Sequence, residues 1–482
     1  MENMKIKFSQ RWGSQIIAPY QVFELVVITL LGLLLALNLL ELLQVNVWRP
    51  DSMYYVDSYT SKVIEEGRWI NQLFFPILKL MPAWLAISLS YVCLGYFAYC
   101  VAKNITLRHG YSIAFALLCL SIPVLPVQLE WPETLLVAFL LLAVAPHQAK
   151  KMPDYIFFPL FSILFFGTLS SFYFLLPLLF LAELNSKKTL RLLVIWATAF
   201  VVGYIVTNTI VYISSGSFIQ IAGWREPHPI KELQDIGTNA IRLYESAVNA
   251  HYMKFQTVLG QWLILATAVI GGACVLFKRS FFAFLVSIIA ALGIYASTLP
   301  VGIFVQERSL LSCLIGLLVA FLLHSKTQNW LSFFLLCLVL VLGVQFSNAS
   351  RNTILWFKTT TEILQTQFAQ AIPYPPEEVR TVFIIFNPED NSRAFTKIDQ
   401  FNEFKHPFSE SLQSPLNWVA VLKTMGYKRI FLCEDPTSWA CESLEGHYEE
   451  TQVGQPEGIF WSKRLGKHDL MLMLNQDFAR SQ

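Results

Sequence analysis

Charged residues are scarce in this sequence. Asp, Glu, Lys and Arg together make up 14% of the 482 residues, whereas a soluble domain carries about 25%. Hydrophobic residues reach 55%. The formal net charge of +2 provides no overall attraction for nucleic acid. This composition excludes an ordinary soluble protein and predicts an integral membrane protein.

Several cofactor and catalytic motifs are also absent. The sequence has no G-x-x-x-x-G-K-[ST] loop for ATP, no H-E-x-x-H zinc motif and no G-x-S-x-G nucleophile turn. No pair among its eight cysteines has the short spacing of a zinc site. The energy for any reaction must therefore come from a pre-activated substrate or a gradient. We predict no cofactor, and metal dependence stays open.

The hydrophobic residues form runs long enough to cross a bilayer, which takes about 20 helical residues. Because backbone amides inside lipid must bond within their own segment, these runs are predicted to be helices. The first is too long for a signal peptide and lacks a small-residue cleavage site. Eleven helices are predicted, at 22–44, 83–103, 111–126, 132–147, 154–170, 172–185, 190–213, 257–277, 281–299, 308–325 and 328–347. The fifth and sixth run together around 167–171, which indicates a re-entrant hairpin or one broken element.

Lys and Arg concentrate in alternate connections between these helices, the bias that marks the cytoplasmic side. One set of segments holds many bases and few acids, and the other set mixes both signs. The N-terminus is therefore predicted to be cytoplasmic, and an odd number of spans places the C-terminal tail outside. The basic set is Lys5, Lys7, Arg11, Lys103, Arg108, Lys150, Lys151, Lys187, Lys188, Arg191, Lys278, Arg279 and Lys326.

Two of the outer loops, 45–82 and 214–256, are too long to be simple connectors. In the first, Tyr55, Tyr59 and Val63 form one helical stripe, which predicts a helix lying in the interface plane. The second is predicted to contain a helix after His228, with an apolar side. That side consists of Leu233, Ile236, Ala240 and Leu243.

The composition changes after Ser347, which divides the chain into a membrane region, 1–347, and a tail, 348–482. The tail has strand-like runs at 379–386, 429–433, 458–461 and 470–474, with a helical stretch at 415–425. This pattern predicts a small extracytoplasmic α/β domain. Cys433 and Cys441 lie there, and either a disulfide or two separate thiols fits their spacing.

The first outer loop contains the most specific chemical signal, Asp51 in segment 48–55 followed by Glu66 and Arg68 in segment 65–69. A carboxylate beside the membrane can act as general base toward a sugar hydroxyl or stabilise charge at an anomeric carbon. The alternative is structural: Asp51 caps the following helix, and Glu66 lies on a solvated face.

Two further outer segments carry candidate residues. Glu130 and Glu133 lie at the outer end of the fourth helix, where Glu133 also suits the helix dipole. Arg308 opens the tenth helix, and its guanidinium can hold two oxygens of a polyprenyl phosphate or diphosphate. The alternative for Arg308 is an interface anchor or an internal ion pair. Arg68 and Arg225 are weaker candidates for the same phosphate role.

These features resemble the GT-C superfamily of membrane glycosyltransferases. The likeness rests on the amphipathic loop after the first helix, the acidic residues in the first two outer loops, the many spans and the outer tail. The Asp51 loop, segment 66–69, the Glu130 to Glu133 segment and segment 307–311 are similar to the O-antigen glucosyltransferases that convert bacterial serotype. The similarity covers most of the membrane region, and the tail matches only in position.

The resemblance implies a multi-pass protein of the bacterial inner membrane with a periplasmic tail. It implies an undecaprenyl phosphate-glucose donor and a lipid-linked O-antigen acceptor, with a flippase and a donor-synthesising enzyme as partners. Asp51 would be the base, with Glu130 or Glu133 as its second-loop partner. The substrate and lipid-phosphate set would be Arg308, Arg68, Arg225, Asp57 and Glu66. Ser52 stands where the family's paired form has a second acid.

Two other functions stay open. A transporter or flippase of lipid-linked sugars would place broken helices near mid-membrane, and segment 167–171 favours it. However, the charges lie in outer loops and the sequence shows no internal repeat. An O-antigen polymerase, or another transferase acting on the same lipids, is the third hypothesis.

Overall fold

The computed structural model describes residues 19–182, 184–221, 225–254, 281–322, 329–385, 404, 416–433, 441, 444, 458–465 and 467–474. Within these ranges the chain is mostly helical, with a small sheet in the tail. The predicted helix at 257–277 lies outside the described residues.

Most described helices begin and end within a few residues of their predicted positions; the helix predicted at 328–347 instead continues to Ala371, and a 3₁₀ helix replaces the one predicted at 172–185. In chain order they are α1 Pro19–Leu42, α2 Thr60–Glu66, α3 Trp69–Leu78, α4 Ala83–Thr106, α5 His109–Leu120, α6 Val124–Gln128, α7 Pro132–Gln148, α8 Asp154–Phe166, α9 Ser186–Ser215, α10 Leu233–Lys254, α11 Phe281–Thr298, α12 Leu311–Leu322, α13 Asn329–Ala371 and α14 Leu416–Thr424. Two 3₁₀ helices occupy Ser170–Phe180 and Glu307–Leu310.

Five of the described helices are long and apolar enough to cross a membrane. They lie within α1, α4, α9, α11 and α13. Their outer surfaces carry exposed apolar side chains, such as Leu25 on α1 and Ile205 on α9. These helices are those of a multi-pass membrane protein. The remaining apolar helices are 10–17 residues long, so the predicted total of eleven spans stays a prediction.

The predicted break around 167–171 is present. Helix α8 ends at Phe166, and the chain continues as the buried 3₁₀ helix Ser170–Phe180 in place of the predicted helix at 172–185. At this break the carbonyl of Gly167 accepts the amide of Ile70 over 3.0 Å, and a Cβ on Gly167 would lie 2.7 Å from Ile70 and 2.8 Å from the indole nitrogen of Trp69. Gly167 thereby lets α3 of the first outer loop pack against the membrane helices.

The first outer loop differs in detail from its prediction. The helical stripe was expected to include Tyr55, but the backbone forms turns there and α2 begins only at Thr60. The side chain of Asn71 on α3 donates to the carbonyl of Thr134 on α7 over 2.9 Å. The loop is therefore two short helices held against the membrane region.

The long helix α13 continues through the predicted boundary at 347 to Ala371, so it forms the first part of the tail. Four strands follow: β1 Thr381–Ile385, β2 Ile430–Cys433, β3 Phe460–Leu465 and β4 Asp469–Leu474. They form one sheet in the order β2-β1-β4-β3, in which β1 pairs parallel with β2 and β4, and β3 pairs antiparallel with β4. Phe368 of α13 packs on Trp418 of α14 and Phe460 of β3.

The spacing of Cys433 and Cys441 left two interpretations, and the structure shows the disulfide. The two Cα atoms lie 5.9 Å apart, and both residues are buried beside Leu444. The bond joins the end of β2 to the chain that follows it.

Candidate functional site

The first outer loop makes several contacts with segment 130–133, at the start of α7. The backbone amide of Arg49 donates to the carbonyl of Glu130 over 3.2 Å, and their side chains form an ion pair. The hydroxyl of Ser52 and the amide of Met53 both donate to one oxygen of Glu133, the latter over 2.6 Å. Two segments about 80 residues apart in sequence thus form one surface.

Glu133, predicted to be catalytic, lies beneath this surface. Its side chain is fully buried, in the first turn of α7. One carboxylate oxygen accepts the bonds from Ser52 and Met53, and the neighbouring Thr134 hydroxyl also donates to it. Glu133 therefore holds the backbone that follows Asp51.

Asp51 is the accessible carboxylate of this surface. One of its oxygens accepts the indole N–H of Trp131 over 2.6 Å, and the other lies 2.9 Å from the ammonium of Lys62. Its side chain is still 41% exposed, against 13% for Glu66 and 7% for Glu130. Among these three acids, Asp51 is thus the most accessible to a molecule from outside.

The charge state of Asp51 follows from its neighbours. Burial favours the neutral acid, but the charge and hydrogen bond of Lys62, the Trp131 hydrogen bond and the charge of Arg308 together lower its pKa below the ordinary aspartate value. Asp51 is therefore ionised at neutral pH.

Glu66 lies at the centre of three cations. Arg68 forms an ion pair with it, the Lys62 ammonium lies 3.3 Å away, and the Arg225 guanidinium lies 3.7 Å away. Burial opposes its ionisation, yet the charges of these three cations lower the pKa of Glu66 to about 2. Glu66 therefore organises the basic side chains around it.

Glu130 is buried next to Arg49. Burial raises its pKa above the ordinary glutamate value, against the opposing charge and hydrogen bond of Arg49. The Arg49 guanidinium also lies 5.0 Å from the centre of the Trp131 ring. Glu130 thus holds the Arg49 guanidinium beside the Trp131 ring.

Arg308 lies at the same surface, although it is 180 residues from Gln128 in the sequence. Its 3₁₀ helix, Glu307–Leu310, is held by the side chain of Gln128, which donates to the Arg308 carbonyl over 2.6 Å. The guanidinium lies 5.1 Å from the centre of the Trp131 ring, and its charge interacts with those of Arg49 and Arg225. Because like charges repel, this crowding favours a bound anion.

The charged and aromatic side chains gathered at this surface are called the loop cluster: Arg49, Asp51, Lys62, Glu66, Arg68, Glu130, Trp131, Arg225 and Arg308. Burial, followed by the charge of Arg68, lowers the pKa of Arg225 even though Glu66 opposes the change, as expected where cations are close together. The cluster brings together the predicted Asp51, Glu66, Arg68, Glu130, Arg225 and Arg308, and adds Arg49, Lys62 and Trp131.

Asp57 does not belong to the loop cluster. Its side chain is fully exposed and lies 3.6 Å from Lys79. Lys423 of the tail is close by, because its ammonium donates to the carbonyl of Tyr55. The predicted substrate role of Asp57 therefore has no support from the cluster, and this acid instead marks where the tail meets the first loop.

Lys62 and Trp131 were not among the predicted site residues. Trp131 lies between the two predicted acids in sequence, but nothing in the sequence indicates that its indole reaches Asp51. Lys62 is one helical turn before Glu66, a spacing that indicates an ion pair on α2, and the structure shows that it also reaches Asp51.

The loop cluster combines an exposed carboxylate with several guanidinium groups beside apolar helices. Such a site can accept a proton from a hydroxyl and hold a phosphate oxygen at once. In the part of the chain that is described, no three His, Cys, Asp or Glu residues are grouped as metal ligands. Comparison of the chain with protein-family models, curated proteins and solved structures finds no match.

Proposed function

We propose that this chain is a membrane glycosyltransferase that moves a hexose from a polyprenyl-phosphate donor to a lipid-linked glycan. The observation that carries the proposal is Asp51, an accessible and ionised carboxylate held by Lys62 and Trp131. By the resemblance of the first two outer loops and segment 307–311, the donor sugar is glucose. The acceptor is an O-antigen repeat at the periplasmic face of the bacterial inner membrane.

The cations of the loop cluster suit the donor phosphate. Arg308, Arg225 and Arg68 are forked donors that can each hold phosphate oxygens. They lie where membrane helices meet outer loops, so a polyprenyl chain would remain in lipid while its phosphate reaches them. A pre-activated donor of this kind needs no ATP, in keeping with the missing nucleotide motif.

The reaction is a single displacement with inversion. The acceptor oxygen attacks the anomeric carbon, and the bond between that carbon and the phosphate oxygen breaks. The electron pair of this bond leaves with the lipid phosphate, whose charge Arg308 and its neighbours stabilise. Asp51 takes the hydroxyl proton. Glu66, Glu130 and Glu133 hold the basic residues and the loop in place.

The test is Asp51→Asn in membranes supplied with labelled polyprenyl-phosphate glucose and lipid-linked acceptor. Transfer should fall by at least about 100-fold while the protein level persists, because a general base contributes that much. Asp57→Asn is the matched control, since it removes an acid of the same loop that lies outside the cluster. Unchanged transfer in Asp51→Asn would remove the proposed base.

A flippase of lipid-linked sugars is the second candidate. The broken element around Gly167 and the buried 3₁₀ helix Ser170–Phe180 favour it. Purified protein in detergent separates the two functions, because an enzyme makes glycosylated product there, whereas a flippase needs two compartments. An O-antigen polymerase would lengthen the glycan by whole repeats, whereas a glucosyltransferase adds a single hexose mass.

A further inference from the structure

Helix α10 exposes an apolar stripe although it belongs to a polar loop. Leu233 is 88% exposed, Tyr244 70%, Ile241 60% and Ile236 40%. Among its described side chains, 233–247, α10 instead buries Asn239, Leu243 and Ser246. Of the predicted apolar side, Leu233, Ile236 and Ala240 are exposed, whereas Leu243 is buried. Ile241 and Tyr244, which the prediction did not include, complete the exposed stripe.

The exposed stripe and the polar side of α10 are separate. At 3.6 residues per turn, the four exposed apolar side chains fall within an arc of about 140°. Gln234, Thr238 and Glu245 are exposed on the remaining arc. A helix with a buried edge, an apolar exposed sector and a polar sector has the pattern of a helix lying in a lipid interface.

Anchoring contacts place α10 at the end of a membrane-spanning helix. The amide of Asn239 donates to the carbonyl of Leu299, directly after α11, over 3.0 Å. The Ser246 hydroxyl donates to the carbonyl of Val305 over 2.9 Å. Gly302, whose φ is +64°, permits the Asn239 contact, because a Cβ at this position would lie 2.3 Å from the Asn239 side-chain oxygen. Because α11 is long and apolar enough to cross a membrane, a bilayer that it spans would end near this anchorage.

Exposed apolar side chains also lie on this span and in the turn that follows it. Leu292 on α11 is 50% exposed, and Phe304, in the turn that α10 packs against, is 42% exposed. Phe304 precedes Val305, whose carbonyl accepts the Ser246 hydroxyl, so an exposed apolar side chain lies next to the contact that anchors α10. A bilayer crossed by α11 would therefore extend to this anchorage.

Segment 225–230 connects α10 to the loop cluster. The amides of His228 and Ile230 donate to the carbonyls of Val301 and Pro300, over 2.9 and 3.1 Å. Arg242 of α10 donates to the carbonyl of Glu226, next to Arg225, whose guanidinium faces Glu66. One hydrogen-bonded unit therefore joins α10, Arg225 and the turn that leads to Arg308.

We infer that α10 binds the membrane surface through Leu233, Ile236, Ile241 and Tyr244, and thereby holds Arg225 at the depth of the lipid headgroups. The occupant of the stripe is the lipid bilayer, at the boundary between headgroups and acyl chains. The lipid contact does not depend on the proposed transferase activity. The position of Arg225 rests on the proposed function and extends it, because the phosphate of a polyprenyl carrier lies at the level of the lipid headgroups.

The experiment uses full-length protein in vesicles of phosphatidylethanolamine and phosphatidylglycerol. The photo-reactive residue p-benzoylphenylalanine is placed at Leu233 or Tyr244, with the adjacent polar positions Gln234 and Glu245 as matched controls. Illumination should attach lipid at the first two positions at least fivefold more than at the controls, as a mass increase of one lipid. Equal labelling at all four positions, no lipid adduct, or cross-linked pairs of chains would overturn the inference.

A second measurement tests the connection to segment 225–230. The double variant Leu233→Ser, Tyr244→Ser should increase amide hydrogen exchange of segment 225–230 in vesicles, whereas Gln234→Ser, Glu245→Ser should not. In detergent, transfer by the apolar double variant should match the parent if the transferase proposal holds. Lipid adducts at Leu233 without glycosylated product would refute the proposed function alone. Unchanged exchange in the apolar variant would refute the connection.

Discussion

The indole nitrogen of Trp131 donates a hydrogen bond to Asp51 over 2.6 Å, while the other carboxylate oxygen of Asp51 lies 2.9 Å from Lys62. Both oxygens therefore have fixed directions, although the side chain stays 41% exposed. A carboxylate that is oriented in advance needs no rearrangement when substrate arrives.

Trp131→Phe should lower the rate of sugar transfer about tenfold to a hundredfold, the usual effect of losing one hydrogen bond to a charged group. The phenyl ring keeps a face for Arg49 and Arg308, so the loss reports mainly on the bond to Asp51. Trp84→Phe is the control, because Trp84 is exposed on α4. Transfer measured in membranes at equal protein level should be unchanged in the control. A similar loss in both variants would contradict the assigned role of Trp131.

Lys62→Met should move the acid limb of the pH–rate profile upward by about one pH unit. The reason is that Lys62 lowers the pKa of Asp51, so without it the base is protonated at higher pH. Lys79→Met is the control, because its partner Asp57 is fully exposed and outside the loop cluster. Superimposable profiles for the parent and Lys62→Met would show that Asp51 is not the group whose protonation limits the rate.

Much of the tail was predictable from sequence. The helix predicted at 415–425 is Leu416–Thr424, and the strand predicted at 429–433 is Ile430–Cys433. Short apolar runs between polar turns specify such elements locally. The membrane helices were less predictable, because apolar runs look alike whether they form one helix or break. The close packing of Gly167 against Ile70 is a tertiary contact that no local pattern contains.

The candidate site was also predictable from the sequence only in part. The charge bias along the chain predicted that Asp51, Glu130 and Arg308 would lie on one side, and the structure brings them into one cluster. The role of each acid depends on partners far away in sequence. The sequence alone does not distinguish Asp51 from Glu133, because the difference depends on the Ser52 hydroxyl, which bonds to Glu133, and on the Trp131 indole, which bonds to Asp51.

Glu66→Gln should destabilise the protein at neutral pH. Its pKa is about 2 in the folded protein against an ordinary value of 4.5, a difference worth on the order of 3 kcal/mol. Because the folded pKa is lowered, this stability is present above about pH 4.5 and disappears as the pH falls toward 2. Thermal unfolding in detergent should therefore show a lower Tm for Glu66→Gln at pH 7, and the difference should shrink at pH 3.

The control for this measurement is Glu226→Gln. The Glu226 carboxylate is 85% exposed and lies 3.8 Å from Arg242, and exposed pairs of this kind contribute little to stability. Its Tm should match that of the parent protein at both pH values. A Glu66→Gln deficit that grows on acidification would have the wrong sign for a carboxylate with a lowered pKa.

Lys423→Met should reduce transfer several-fold without unfolding the tail. Lys423 lies on α14, and its ammonium donates to the carbonyl of Tyr55, four residues after Asp51. The hydroxyl of Tyr55 in turn accepts the backbone amide of Trp48 over 3.2 Å, so the tail contacts the turn that positions the base.

Lys428→Met is the control, because Lys428 is exposed in the same domain. Tm separates this positional effect from unfolding, since both variants should melt like the parent while only Lys423→Met loses rate. Full transfer by Lys423→Met would mean that the contact between the tail and the first loop has no part in catalysis.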